Sequence, residues 1–343
     1  MQVTVLIPVF NDWESLRVLL GRLDRELNRP EYDPRVVVLD DASTAPCPPD
    51  LLDQCPTLRG RVFTLAMRRN LGHQRAIAIG LAYVHDHVPC DAVVVMDGDG
   101  EDSPSDVPRL LEECARLEMR SVVFAGRARR SESLAFRVGY FGFRTLHRVL
   151  TGHRVRVGNF SVVPRSALRR LVVVSELWNH YAAAVLRSRI PYAIIPTDRG
   201  TRIAGKPTMN WTALVVHGLS AIAVYSDVLG VRLLIATLLL ATMLVLAAVA
   251  VVAVRLFTDL AVPGWATYAV GLLAAMLIQA VMGLVMFTFF ILWNRNSVSF
   301  LPIRDYRFFV ASYGPPCRDG AEEPTAAAEW DEAPAPEEVS VPR

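Results

Sequence analysis

Short runs of apolar, largely β-branched residues recur along the first 125 positions: 3–9 (VTVLIPV), 35–39 (RVVVL), 61–65 (RVFTL), 92–96 (AVVVM) and 121–125 (SVVFA). Each run is continuous and not alternating, which suits a strand covered on both faces. The intervening segments carry helical spacing. Residues 13–28 place Leu16, Leu19, Leu20, Leu23 and Leu27 on one face. Residues 72–88 do so with Ala76, Ile79, Gly80 and Tyr83, and residues 105–118 with Val107, Leu110, Leu111 and Leu117. Strands alternating with helices predict an open, mostly parallel α/β sheet, whose ligands bind at the carboxyl ends of the strands.

The pattern changes in the second half of the chain. Residues 134–150 are amphipathic and rich in aromatics and arginine, and 207–230 mix apolar residues with Trp211, His217 and Asp227. The second of these segments reads as an interfacial helix leading into a membrane. Residues 233–254 contain no charged side chain, and at about 1.5 Å per residue they reach about 33 Å, enough to cross the hydrocarbon core. Residues 266–293 form a second, longer stretch, which has to tilt or protrude. Two spans put both flanks on one side. Arg199, Arg202, Lys206 and Arg232 precede them and Arg295, Arg304 and Arg307 follow, whereas the connecting loop carries only Arg255 and Asp259. The excess of basic residues places the N-terminal domain and the tail in the cytoplasm. The opening MQVTVLIPVF has no basic leader or cleavage site and reads directly as a first strand. The expected organisation is therefore a cytosolic domain over 1–206, an amphipathic juxtamembrane segment over 207–230 and two transmembrane helices over 231–293. A membrane-proximal segment over 294–314 and a Pro-, Ala- and Glu-rich disordered tail over 315–343 complete it.

Composition adds little to this picture. The hydrophobic fraction of 52% is concentrated between residues 231 and 293, and the net charge of +2 settles nothing about nucleic acid. Five cysteines, at 47, 55, 90, 114 and 317, show no metal or redox spacing. They read as free thiols in a reducing compartment.

The candidate chemistry stands at the predicted strand ends. Asp97-Gly98-Asp99-Gly100-Glu101-Asp102 directly follows AVVVM. Carboxylates crowded at the end of a buried strand repel one another unless a cation is present, and hard oxygen ligands suit Mg²⁺ or Mn²⁺ on a diphosphate. The same acids also suit a turn capping the next helix through Ser103 or Ser105. Asp40 and Asp41 follow RVVVL, Ile7-Pro8-Val9-Phe10-Asn11-Asp12 leaves the first strand, and Arg69-Asn70-Leu71-Gly72-His73-Gln74 opens a helix whose N-terminus favours an anion.

IPVFND, DDAS, RNLGHQRAIAIGL and MDGDGEDSP, in that order and each at a strand end, resemble the GT-A glycosyltransferases of the family-two type. They are most similar to the polyprenyl-phosphate glycosyltransferases that act on dolichol or bactoprenol phosphate. The resemblance covers roughly residues 1–230. It implies an α/β fold of the Rossmann-like nucleotide-diphospho-sugar transferase kind, followed by two transmembrane helices. It further implies a nucleotide-diphospho-sugar donor, a polyprenyl-phosphate acceptor, inversion at the anomeric carbon, and a site on the cytoplasmic face of a bacterial inner membrane. Nucleic acid is not among the expected partners, and a homo-oligomer is left open.

The resemblance also assigns roles. Pro8 and Asp12 line the nucleotide pocket, Asp40 and Asp41 hold base and ribose, and Arg69, Asn70 and Gly72 form a loop near the nucleotide. Asp97 and Asp99 carry the metal, with Asp102 the acid just after. Arg127 and Arg129, with Arg130, face the acceptor phosphate. The catalytic set so implied is Asp99, Asp102, Arg127 and Arg129.

Two departures lie on the acceptor side. Gly158-Asn159-Phe160-Ser161 stands where relatives often have Gly-Asp-Phe-Arg, and Gly205-Lys206-Pro207-Thr208 where they tend to have Gly-x-Ser-Lys. A phosphomonoester is mostly a dianion at neutral pH and needs positioning more than deprotonation, so the loss of an acid at Asn159 is compatible with that acceptor. A hydroxyl acceptor would need Asp102, Glu132 or Glu176 as base. Trp178 to Tyr181 form a cluster that either lines the acceptor site or packs. A processive polysaccharide synthase lacks support, because no Gln-x-x-Arg-Trp motif and no further spans are present. A non-catalytic scaffold with the same fold stays open.

Overall fold

In the computed structural model, which describes residues 1–127, 152, 157–198, 200–204, 211–258, 262, 264–296 and 300–317, the five apolar runs become strands of one sheet. They are β1 (Gln2–Val9), β2 (Asp33–Asp40), β3 (Val62–Met67), β4 (Ala92–Val95) and β5 (Val122–Arg127). The three helical patterns become α1 (Trp13–Leu27), α2 (His73–His87) and α3 (Asp106–Arg116). Further elements follow: β6 (Ser161–Pro164), α4 (Arg165–Leu171), α5 (Tyr181–Arg187), β7 (Tyr192–Thr197) and, at the far end, β8 (Val310–Gly314).

The sheet order is β7-β5-β6-β4-β1-β2-β3-β8. Strands β4, β1, β2 and β3 run parallel, as do β5 and β7, while β6 lies antiparallel between β4 and β5 and β8 lies antiparallel on β3. The sheet is thus mixed. The central strands β1, β2, β4 and β6 are buried on both faces, whereas the edge strands β7 and β8 are largely exposed or half-buried. Val3, Val5 and Ile7 of β1 pack with α1 and α3 on one face. Leu6 packs with α2, α4 and α5 on the other.

Pro8 sits in a central strand, opposite Leu39 of β2. The Leu6 carbonyl accepts from Met96 beside β4, and the Val9 carbonyl accepts from Asp41 beside β2. By this alternation Pro8 lacks its N–H on the β4 side. Pairing with β4 has already ended at Leu6↔Val95, so no ladder bond is lost.

The two apolar stretches form α7 (Ser226–Phe257) and α8 (Trp265–Asn296), preceded by α6 (Trp211–Ala223). Gly230 lies against Ile291 and Gly283 against Thr237, so α7 and α8 form an antiparallel hairpin. Ala241, Leu244 and Ala280 pack between them. Large apolar side chains around both helices, such as Leu239, Leu246, Met282 and Phe289, face outward. Each helix is long and apolar enough to cross a membrane, and neither is a core helix of the domain. Arg187 joins the domain to this hairpin, with bonds of 2.9 Å to Glu176 and 2.8 Å to Asp227 in the first turn of α7.

Beyond the hairpin the chain returns to the domain. Residues 294–314, expected beside the membrane, contain a short helix (Pro302–Asp305) and β8, which extends the sheet at its β3 edge. Tyr306 is buried and its hydroxyl donates to Asp86 at 2.9 Å. This return also corrects the reading of all five cysteines as free thiols. Cys47, after β2, is bonded to Cys317, after β8, while Cys55, Cys90 and Cys114 are free and buried. The partners are 270 residues apart in sequence, so no local spacing could announce the pair; β8 brings them together. The stretch 318–343 of the expected tail and the amphipathic 134–150 lie outside the described residues. Alkylation of protein purified without reductant and then denatured should label Cys55, Cys90 and Cys114 and leave Cys47 and Cys317 in one cross-linked peptide, read by mass spectrometry.

Candidate active site

The carboxyl ends of β1, β2 and β4 open at one edge of the sheet, and the acids predicted from sequence gather there. After β1 the chain turns at Asn11 with φ 57°. The Asn11 side-chain oxygen accepts from the Thr44 and Ala45 N–H groups, both at 2.8 Å, and the Asn11 backbone N–H donates to Ser43 Oγ at 2.9 Å. These bonds knit the exit of β1 to the loop after β2. Asp40 accepts from the Ser43 N–H at 2.9 Å.

Asp41 points inward. It is buried, and its two oxygens accept from the Leu71 and Gly72 N–H groups at 2.7 and 2.8 Å. Burial raises its pKa above the ordinary carboxylate value, and the two backbone bonds oppose that rise. Its carboxylate is thus engaged by the 70–72 loop. Gly72 (φ 85°) turns that loop into α2. Asn70 and Arg69 are exposed, and the Arg69 guanidinium lies 6.0 Å from the Phe309 ring.

The DGDGED turn after β4 is built on its own backbone. Asp102 is buried and accepts from the Asp97 N–H at 2.9 Å, and Asp99 accepts from the Glu101 N–H at 3.0 Å. Gly100, at φ 82°, has the Ile203 side chain where a Cβ would stand. Gly200 in turn lies so close to Gly100 that a Cβ would meet its carbonyl oxygen at 2.6 Å. Only residues without side chains permit this approach. Across it, the Gly200 N–H donates to Glu101 O at 2.8 Å and the Ile203 N–H to Asp99 O at 3.0 Å.

A guanidinium, an imidazole and an amide meet the acids. Arg202 donates to Asp12 at 2.7 Å and to Asp99 at 3.2 Å. His73 Nε2 lies 3.1 Å from an Asp97 oxygen and 2.8 Å from the Asn159 amide nitrogen. Asn159 Nδ2 also reaches Asp97 at 3.4 Å, and its oxygen accepts from Gln74 Nε2 at 3.1 Å. In its neutral form the His73 ring accepts from Asn159; protonated, it would donate to Asp97. The surrounding protein lowers the imidazole pKa from 6.5 by desolvation, against the raising influence of Asp41, Asp99 and Asp102.

Sequence reasoning missed this second set: His73, Gln74 and Arg202 in these roles, and Asn159 as a link between them. Asn159 was noted only as a lost acid. His73 and Gln74 stood inside a motif quoted for its neighbours, and nothing near Arg202 in sequence signals its partners. Pro8 is buried in the sheet. Arg127 ends β5 opposite Thr197, its side chain is outside the described residues, and Arg129, Arg130 and Glu132 lie wholly outside them. Trp178 to Tyr181 pack: Trp178 stacks on Phe300 at 3.9 Å, His180 caps α5, and the buried Tyr181 hydroxyl bonds Ser161 at 2.7 Å. Glu176 is paired with Arg187.

A divalent cation implied by the acids finds carboxylate oxygens on Asp97 and Asp99. Among the described residues no group of three or more metal-ligating side chains is assembled.

Two outcomes test this geometry. Asp41→Ala should lower the unfolding midpoint of the solubilised protein, costing about 1–3 kcal/mol for each donor left unpaired, with Asp41→Asn losing less. For His73 the sign follows from its lowered pKa. The unfolded ring takes up a proton below about pH 6.5 while the folded ring resists it, so stability is lost as pH falls through that value. The midpoint of the wild type should therefore drop more steeply between pH 7 and about pH 5.5 than that of His73→Asn.

The profile of Glycosyl transferase family 2 matches residues 4–172. The undecaprenyl-phosphate 4-deoxy-4-formamido-L-arabinose transferase of Erwinia tasmaniensis is 26% identical over 177 residues, covering 50% of each chain. The enzyme of that name from Pseudomonas fluorescens is 30% identical over 113 residues, covering 33% of this chain and 32% of the relative. The chain thus spans half the length of the first relative and less of the second. Among solved structures, glucosyl-3-phosphoglycerate synthase from Mycobacterium tuberculosis superposes with a TM-score of 0.48 at 17% identity, covering 67% of this chain and 80% of that one. The region that matches the Glycosyl transferase family 2 profile contains β1 to β6 and the strand-end acids.

Proposed function

We propose that this chain is a membrane-anchored glycosyltransferase that moves a sugar from a nucleotide-diphospho-sugar to a polyprenyl phosphate, with inversion. The observation that carries the reading is the convergence of Asp12, Asp97 and Asp99 at the carboxyl ends of β1 and β4, where a parallel sheet presents its ligand site. The names of the relatives, all undecaprenyl-phosphate transferases, support the acceptor. The two outward-facing apolar helices directly after the domain support a site held at a membrane surface.

In this reading the loops after β1 and β2, tied together through Asn11, form the nucleotide side, with Asp12 and Asp40 facing base and ribose. Asp41 acts through the 70–72 loop, which it holds in place for Arg69 and Asn70. Asp97 and Asp99 would hold Mg²⁺ or Mn²⁺, which when bound neutralises charge on the leaving diphosphate. Asp102 stiffens the turn from beneath. Arg127 and Arg129 would face the acceptor phosphate, for which guanidinium forks are suited. That acceptor is already nucleophilic as a dianion, so the chain needs to orient it and exclude water. Asn159 cannot take a proton, and its amide instead fixes His73 against Asp97. A hydroxyl acceptor is the second reading; it needs a base, and His73, 3.1 Å from Asp97, is the imidazole placed beside the acids.

The flanking arginines favour a cytoplasmic domain in a bacterial inner membrane. A reducing cytoplasm would keep the Cys47–Cys317 pair open, so the state of that pair trapped in living cells reports which side the domain occupies.

The test is a transfer assay on membranes containing the full chain, with labelled UDP- and GDP-sugars, Mg²⁺ or Mn²⁺ and undecaprenyl phosphate. Label should enter the organic phase, and Asp99→Ala should reduce it by two orders of magnitude or more, on the order of the loss of one well-placed electrostatic group. Metal-dependent donor hydrolysis without organic label would point to the hydroxyl acceptor. No turnover with any donor, in correctly inserted protein, would leave only a scaffold.

A further inference from the structure

Arg202 is the one side chain that joins acids from different strand ends among the described contacts of the site. Its Nη2 donates to Asp12 at 2.7 Å, its Nη1 to Asp99 at 3.2 Å, and its Nε to the Ala204 carbonyl at 2.8 Å. The three side chains are only 21%, 27% and 22% exposed for Arg202, Asp12 and Asp99. Each of the three guanidinium nitrogens thus makes one bond, two to carboxylates and one to its own loop. That loop is in turn fastened to the acid turn by the Gly200 and Ile203 N–H groups.

These contacts answer an electrostatic need. Asp12, Asp97 and Asp99 converge in a partly buried setting, where unbalanced like charges are costly. A planar fork with several donors can serve two carboxylates together. The Asp99 oxygen that Arg202 occupies is one that a divalent cation would need, and a dication and a guanidinium on one carboxylate repel each other. A nucleoside diphosphate resolves the conflict, because it brings phosphate oxygens that suit a guanidinium as well as a carboxylate does.

We propose that Arg202 is a resident counter-cation and positioning switch: in the nucleotide-free protein it neutralises Asp12 and Asp99, and it releases Asp99 when a nucleoside diphosphate arrives with its divalent cation, its guanidinium passing to phosphate oxygens. The proposal rests on the reading of Asp97 and Asp99 as the cation site. It makes cation binding conditional on the diphosphate, and it makes the 200–204 loop the segment that answers occupancy. Because Gly100 and Gly200 let that loop and the acid turn touch backbone to backbone, release of Arg202 changes both.

Mn²⁺ binding by the solubilised full chain, followed by the loss of the free-ion electron paramagnetic resonance signal, tests this without any turnover. Wild type, Arg202→Ala, Arg202→Gln and Arg202→Lys are titrated with Mn²⁺ alone and with Mn²⁺ plus UDP or GDP, and folding is checked by the unfolding midpoint. Wild type should bind Mn²⁺ weakly alone and about tenfold or more tightly with the matching nucleotide. Arg202→Ala and Arg202→Gln should bind Mn²⁺ alone about tenfold more tightly than wild type yet bind the nucleotide more weakly, with Arg202→Lys between. A merely structural ion pair does not produce these opposite signs. The switch is overturned if wild type binds Mn²⁺ as tightly without nucleotide as with it, a result that needs no variant. It is equally overturned if folded Arg202 variants bind Mn²⁺ alone no better than wild type. If wild type binds no Mn²⁺ under any nucleotide, the reading of Asp97 and Asp99 falls, and the switch with it.

Discussion

Carboxylates brought together at the end of a buried sheet repel one another, and the arrangement of this site follows from how that repulsion is met. Asp12, Asp97 and Asp99 come from two neighbouring strands that open on the same edge. Asp102 faces its own turn and accepts the Asp97 N–H. Asp99 and Asp12 meet the guanidinium of Arg202. Asp97 meets His73 and the amide of Asn159. The partners of these acids come from several parts of the chain, so the site draws the β1 exit, the α2 start, the DGDGED turn, the entry to β6 and the loop after β7 into one unit.

The backbone makes these balances possible. Asp41 spends its carboxylate on two N–H groups at the start of α2, which sets His73 and Gln74 in place. Gln74 then reaches both Asn159 and the Tyr181 N–H, at 3.1 and 2.7 Å. That chain of bonds couples the acid end of the sheet to α5 and, through Arg187 and Asp227, to the first turn of the apolar hairpin. The geometry of the site and the seating of the domain on its two long helices are therefore continuous.

The segment after the hairpin closes the domain from the other side. Strand β8 covers the β3 edge, which would otherwise offer unpaired backbone. It carries Cys317 to Cys47 in the loop that Asn11 also holds. The loop after β2 is thus held by the side chain of Asn11 near the chain start, and Cys47 in it stands beside Cys317, which follows the apolar hairpin.

Much of this was legible in the residues themselves. Continuous apolar runs identified β1 to β5, because a strand covered on both faces leaves no alternation, and 3.6-residue spacing identified α1 to α3. The two long helices followed from uncharged stretches alone. The acids at strand ends marked one edge of the sheet as the place for chemistry. Strands β6 and β7 escaped notice because four- and six-residue segments amid mixed composition carry no periodicity that outlasts the noise. Strand β8 escaped because its register is set by the β3 edge it covers. The pairing of Arg202 with Asp12, of Asn159 with His73 and Asp97, and of Cys47 with Cys317 joins residues separated by 190, 86, 62 and 270 positions. What the sequence by itself determined are the properties that depend on near neighbours: hydrophobic period, turn chemistry, and charge at a strand end. Which acid faces a ligand, which faces the backbone and which cation balances each was decided only by the tertiary structure, because electrostatic and hydrogen-bond energies depend on distance in space, and the chain crosses the sheet several times before those distances exist.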